Sequence, residues 1–270
     1  MAAGVDQRVQ PHHDRREVSG AAAARRAGER RPGMSEVSGA LNFRDVGGLP
    51  AGGARTRTGV LFRSGNLARL DDDGRAVLAR LGIRRIVDLR EDDELAFEPS
   101  RLGALPVETV RIPLFLGSAA SFFVDDISLP EMYRALIDGS ADRIVDAARA
   151  VIADQPVLVH CTVGKDRTGI TIALLLAAAG VDEDAVVSDY ARTETLLPRE
   201  RNARVVAHLR RMHPEARHLE DLATRSPAPV MRAVLEDVTA RFGSAGDYLR
   251  AGGVTDDELT ALREVLIDRD

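Results

Sequence analysis

The sequence predicts an α/β domain, a central and mostly parallel sheet flanked by helices, with a helical C-terminal part. Three observations carry this. Between residues 40 and 180, short β-like runs alternate with helical stretches, the order that builds a parallel sheet with helices on its faces. A short apolar strand at 156–160 passes through a tight loop into a helix at 167–180. After residue 180 the chain reads as helix only.

Taken in order, "VLFRS" (60–64) follows a Gly-containing turn and reads as a strand. "LDDDGRAVLARLG" (70–82) places Leu70, Val77, Leu78 and Leu81 at helical spacing, with Asp71 to Asp73 near its start and Gly82 at its end. "IRRIVDLR" (83–90) and "VETVRIPL" (107–114) read as strands. Residues 128–154 give two helices split at Gly139. "PVLVH" (156–160) is the next strand, and "RTGITIALLLAAAG" (167–180) a helix closed by Gly180. Beyond it, four amphipathic stretches follow: "DEDAVVSDYARTETLL", "RERNARVVAHLRRMH", "APVMRAVLEDVTARFG" and "DDELTALREVLID".

Composition narrows the function. At 270 residues and 44% hydrophobic, the chain can bury a sizeable core. A net charge of -5 argues against a nucleic-acid partner, which calls for a basic patch or stripe. The longest apolar stretch, Ile170 to Ala179, is shorter than the ~18 residues of a membrane span, so no stable membrane insertion is expected. A single cysteine excludes an internal disulfide framework and suits a reducing, cytoplasmic compartment. Residues 1–33 differ from the rest: they lack hydrophobic periodicity and are rich in Arg, Ala and Gly. They are expected to form a disordered tail, with Met34 as an alternative start and residues 34–270 as the folded domain.

The chemistry concentrates in "VLVHCTVGKDRTGI" (157–170), which holds the only cysteine, Cys161, and the only lysine, Lys165, in a chain with 36 arginines. A strand, a tight loop and a helix N-terminus point backbone N–H groups and positive partial charge at one spot, an anion cradle the size of a phosphate. His160, Thr162, Val163 and Gly164 shape that loop and, with Lys165 and Thr168, are expected to bind the substrate. Gly164 permits a backbone angle that side chains resist. Cys161 lies at its floor, where the same field favours the thiolate. Arg167 opens the helix, and its planar fork can hold two phosphate oxygens. Thr168 can donate to the thiolate as it leaves. Lys165 can meet a second phosphate or steer an acidic substrate, or simply sit as a solvated charge. Asp166 can serve as general acid or shape the loop, and it is preferred for the acid over Asp125 and Asp126. Arg44 and Asp45 are expected to form a structural ion pair. Arg63 and Ser64 read as structural. Asp88 and Arg90 lie at a strand's C-terminal end, where ligands bind in open α/β sheets. Three readings compete: a phosphatase, a phosphate-recognition module, and sulfur transfer. Intact Cys161, Arg167 and Thr168 count against a pure binder.

"HCTVGKDRTG" resembles the catalytic loop of cysteine-dependent protein tyrosine phosphatases, and in particular of the bacterial tyrosine and phosphoinositide phosphatases, whose loop also carries Lys-Asp before the Arg. "LNFRDVGG" (41–48), "RTGVLFRSGNL" (57–67), "IVDLR" (86–90), the Asp-Tyr pair at 189–190 and "GSAGDYLRAGGV" (243–254) look like further stretches of that family. The resemblance implies a phosphatase fold whose C-terminal helices supply a lid. It implies phosphotyrosine proteins, and also phosphoinositides or phosphoserine/threonine, as substrates, and neither metal nor cofactor. The implied mechanism has Cys161 forming a phosphocysteine that water then hydrolyses.

Overall fold

Residues 44 to 64 contribute four strands: β1 (Arg44–Asp45), β2 (Pro50–Ala51), β3 (Ala54–Arg55) and β4 (Leu61–Ser64). They belong to a computed structural model that describes residues 1, 37–114 and 124–268. The expectations for the tail 1–33 and for a start at Met34 fall outside the described residues. There follow α1 (Asp72–Arg80), β5 (Arg85–Asp88), α2 (Asp92–Phe97), β6 (Glu108–Arg111), α3 (Leu129–Gly139), α4 (Ala141–Ala153), β7 (Val157–His160) and α5 (Asp166–Ala179). Six more helices close the described chain: α6 (Glu183–Leu196), α7 (Arg199–Met212), α8 (Leu219–Thr224), α9 (Ala228–Phe242), α10 (Ala245–Ala251) and α11 (Asp256–Leu266).

Five strands form one sheet in the order β1-β4-β7-β5-β6. The three pairings from β4 to β6 are parallel, and β1 runs antiparallel at the edge. The central strand β7 pairs on both sides, with His160 level with Ser64 on β4 and with Asp88 on β5. All its residues are buried, as befits a parallel strand covered on both faces. Alternation then sorts the side chains: Phe62, Ile86 and Leu158 join the cluster under α1, with Leu70 and Leu78. Leu61, Val87, Val157 and Val159 join the larger cluster under α5.

Local chemistry sets the helix ends. Asp71 accepts from the Gly74 N–H at 2.8 Å and caps α1. Ser128 and Glu131 form a reciprocal capping box at the start of α3. The break between α3 and α4 falls at Ser140, one residue past the expected Gly139. Gly180 adopts the left-handed cap of α5, with φ at 90°. Eleven of the 14 residues of α5 are buried, so this helix has no polar face. It is enclosed by the sheet and by α6, α10 and α11. That enclosure explains "ITIALLLAAA" as an interior helix, and among the described residues no helix is long and apolar enough to cross a membrane.

Candidate active site

The C-terminal ends of β4, β7 and β5 converge on the loop 161–165, between β7 and α5. Gly164 makes the turn possible. Its φ is +74°, and a Cβ there would lie 2.3 Å from the Ser64 carbonyl oxygen. Its N–H points back into the loop and donates to Cys161 Sγ at 3.3 Å. Its carbonyl faces the other way and accepts from Asn42 Nδ2 at 2.8 Å and Arg63 Nη2 at 2.9 Å. His160 is fully buried, with Nδ1 3.2 Å from the Cys161 carbonyl oxygen and Nε2 3.7 Å from Asp88. Burial pushes its pKa down against the pull of Asp88, so the ring is neutral near pH 7. Thr162 and Val163 form the half-buried outer wall of the loop. The Thr168 hydroxyl is buried and, among the described residues, has no hydrogen-bond partner, so it does not reach the sulfur in this arrangement.

Arg167 is held from an unexpected direction. Glu94, from α2, takes the end of its guanidinium in a bidentate pair, Oε2 to Nη1 at 2.5 Å and Oε1 to Nη2 at 2.6 Å. Thr162 Oγ1 accepts from Nη2 at 3.1 Å and donates to Glu94. Burial alone would raise the Glu94 carboxyl, but the bonds and charge of Arg167 outweigh it and bring the pKa down to about 2. Glu94, Thr162 and the Leu89 carbonyl oxygen, 3.4 Å from Nη1, take both terminal nitrogens of Arg167. Of its three nitrogens only Nε is without a hydrogen bond among the described residues, so the two-oxygen grip expected of the fork is not open in this arrangement.

Lys165 and Asp166 face each other on the far side of the loop. The Lys165 side chain is only 1% exposed, with its ammonium 2.5 Å from Asp166 Oδ1 and 3.1 Å from the Arg225 carbonyl oxygen. It is thus committed inside the protein, where sequence reasoning had offered a second phosphate or open solvent. Asp166 also accepts from the Tyr133 hydroxyl at 2.8 Å, and that hydroxyl is 2.7 Å from the Tyr190 hydroxyl. Burial first, then the charge of Asp166, raise the Tyr133 pKa well above the tyrosine norm, so the phenol remains a donor. Asp126, a weaker candidate for the acid, is tied to Arg217 at 2.7 Å, and Asp125 is exposed.

Two expectations about the surroundings change. Arg44 does not pair with Asp45. Successive side chains of a strand point to opposite faces, and Arg44 turns inward to Asp189 of α6 at 2.7 Å. Asp45 instead accepts from the backbone N–H groups of Gly47 and Gly59. Arg63 meets the same Asp189 at 2.7 Å, and all three side chains are 1% exposed. Burial works against the Asp189 charge, but Arg63 and Arg44 hold its carboxyl below the usual range. Arg44 itself is brought down to about 9 by burial and by Arg63. Asp88 and Arg90 are also absorbed by structure: they pair at 2.7 Å, and Arg90 donates to the Glu98 carbonyl and to Ser100. Sequence reasoning missed Glu94 and Tyr133, and it met Asp189 only within the Asp-Tyr pair that resembles the family, with no role attached. Glu94 left one local sign, the Glu91–Glu94 box that starts α2.

A cysteine on a tight backbone loop, at the C-terminal edge of a mostly parallel sheet and six residues before an arginine, is the arrangement of a cysteine-dependent phosphatase. The chain belongs to the tyrosine phosphatase family, whose model matches residues 35–268. It is similar to the triple specificity protein phosphatase PtpB of Mycobacterium tuberculosis, at 33% identity over 87% of this chain and 99% of that protein. A tyrosine-protein phosphatase of Nostoc commune is 31% identical over 76% of this chain and 73% of its own. Among solved structures, the core catalytic domain of the PP-IP phosphatase SIW14 from S. cerevisiae matches at 18% identity, with a TM-score of 0.38, covering 79% of this chain and 98% of that one.

Proposed function

We propose that this phosphatase removes phosphate from phosphotyrosine in proteins and from phosphoinositides, with Cys161 as nucleophile. The observation that carries the reading is the shared loop of Cys161 and Arg167, in which the sulfur lies at the floor and accepts from the Gly164 N–H while the guanidinium of Arg167 borders the loop through Thr162. The cysteine thiolate attacks phosphorus, the P–O bond to the leaving group breaks, and Asp166 gives that oxygen a proton. Water then attacks the phosphocysteine with Asp166 as base, which returns thiolate and inorganic phosphate. Backbone N–H groups, the N-terminus of α5 and the Nε of Arg167 hold the equatorial oxygens throughout. Lys165 and Tyr133 position Asp166, and His160 and Thr168 line the loop. The lid fits α7, which buries none of its residues and borders the cleft that opens on Thr162. The named specificity of the mycobacterial relative supports a substrate range broader than phosphotyrosine. The test is hydrolysis of an aryl phosphate with and without a thiol alkylator, followed by a panel of phosphopeptides and phosphoinositides. Activity that survives full alkylation of Cys161 would remove the nucleophile from this account.

A further inference from the structure

Two buried side chains hold the Gly164 carbonyl from outside the loop, and neither enters the chemistry proposed above. Asn42 Nδ2 donates to it at 2.8 Å and Arg63 Nη2 at 2.9 Å. Both residues sit where they do at a cost. Asn42 has φ at 58°, in the left-handed region that residues other than Gly, Asn and Asp seldom adopt. Arg63 shares the single carboxylate of Asp189 with Arg44, so two guanidinium cations meet one acid inside the protein. The Arg63 Nε is buried and has no hydrogen-bond partner among the described residues. Burying a cation in excess of its partner is unfavourable, and here the excess positive charge faces a carbonyl oxygen of the catalytic loop.

A held carbonyl fixes the N–H beside it. The Gly164 carbonyl and the Lys165 N–H belong to one planar peptide unit, which is trans, and in a trans unit the two point in opposite directions. With the oxygen drawn outward, the Lys165 N–H turns inward, to the side where the Gly164 N–H meets Cys161 Sγ at 3.3 Å. Among the described residues the Lys165 N–H has no acceptor, and it stands one residue ahead of α5. It is a spare donor beside a helix N-terminus, where an anion is favoured.

We infer that Asn42 and Arg63 are positioning residues, which grip the Gly164 carbonyl so that the Lys165 backbone N–H is aimed at the phosphoryl oxygens and the Gly164–Lys165 peptide cannot turn over. A turned peptide would set its carbonyl oxygen against the phosphate and its N–H against the Arg63 cation. The backbone freedom of glycine makes such a turn accessible, so the hold has to come from outside the loop. Thr193 Oγ1, 3.4 Å from Asn42 Nδ2, and Arg44, which donates to Asn42 Oδ1, fix the Asn42 amide in the orientation that donates. The inference rests on the phosphatase reading above and adds to it the residues that orient one backbone donor.

The test compares Asn42→Asp with Asn42→Gly, both of which tolerate the left-handed backbone. Asn42→Asp keeps size and the acceptor for Arg44, but sets an oxygen against the Gly164 carbonyl and so favours the turned peptide. Asn42→Gly only removes the donor and leaves Arg63 in place. Three readouts are taken: kcat/KM on an aryl phosphate, calorimetric binding of inorganic phosphate, and the pH dependence of Cys161 alkylation by neutral iodoacetamide. Asn42→Asp should lose roughly 10² in kcat/KM, the scale of one oxyanion donor, and bind phosphate roughly tenfold more weakly. Asn42→Gly should lose less, about threefold in phosphate binding. The alkylation profile should stay that of the wild type in both, because the N–H that meets the sulfur belongs to the preceding peptide unit. A space-filling role predicts the reverse order, so a larger loss in Asn42→Gly than in Asn42→Asp would overturn the inference. So would an alkylation profile that shifts together with phosphate binding, since the whole loop would then have moved. If Asn42→Asp does not fold, Asn42→Gly decides alone, and unchanged phosphate binding overturns the inference. Failure of the wild type on the aryl phosphate would instead overturn the phosphatase reading.

Discussion

Replacing Glu94 by glutamine probes how Arg167, the arginine proposed to bind phosphate, is held. The change keeps size and removes one charge from the bidentate pair with Arg167. Breaking a buried ion pair from one side costs about 3–5 kcal/mol. The Glu94 side chain is 32% exposed, so solvent screens part of that, and we expect about 2 kcal/mol of lost stability. At about 1.4 kcal/mol per decade this is a factor of about 30 in the folded-to-unfolded ratio. The carboxyl titrates near 2 in the folded chain against an ordinary 4.5. The stabilisation is therefore present in full above pH 4.5 and disappears as the pH falls through 2. Urea unfolding of wild type and Glu94→Gln between pH 3 and 7 should show two curves that approach each other at the acid end. Turnover should fall as well, by about 10- to 30-fold in kcat/KM, as the fork loses its fixed plane. A variant that binds inorganic phosphate more tightly with kcat intact would refute the reasoning, because Glu94 would then be occupying the place of substrate.

Three further outcomes test the proposed chemistry. Cys161→Ser should abolish turnover while phosphate binding, read by calorimetry, persists on the backbone and Arg167; residual turnover within about tenfold of wild type would be incompatible with a sulfur nucleophile. Asp166→Asn should cost roughly 10²–10⁴ on phosphotyrosine and far less on an ester of an activated phenol, and equal losses in single-turnover bursts would reduce Asp166 to a loop-shaping acceptor. Tyr133→Phe removes the donor to Asp166 and strands the Tyr190 hydroxyl, so it should lower stability by about 1–3 kcal/mol and selectively slow the esters that need a proton, whereas a uniform loss would make its role packing alone.

The elements that build the middle of the fold were legible because each left a pattern. The β7–loop–α5 unit shows an apolar run, a loop and a terminal glycine. α1 shows helical spacing behind three aspartates. By contrast β1, β2 and β3 are two residues each, too short for any period. α2 buries none of its six residues, so it has no apolar stripe to detect, and with it Glu94 went unseen. The loop residues could be named because they are contiguous from His160 to Thr168. Their supports could not. Asp189 lies within an amphipathic helical run, where an acid reads as solvent-facing, and what buries it are arginines from strands far up the chain. Tyr133 likewise reads as an ordinary core residue of α3 until the fold brings Asp166 to its hydroxyl.

The Arg44–Asp189–Arg63 cluster spans 145 and 126 residues of chain, and through Arg63 and Asn42 it grips the Gly164 carbonyl. Nothing local can therefore impose the working shape of the loop. It is set only when the N-terminal strands and a helix from beyond residue 180 have met. Contacts of such separation form late and slowly, and a buried arginine without its acid is costlier than no arginine at all. A half-made chain thus carries Cys161 but no cradle. Activity should arrive in one step with completion of the tertiary structure, and a growing or truncated polypeptide that ends before α6 should be unable to hydrolyse anything, however intact its catalytic segment.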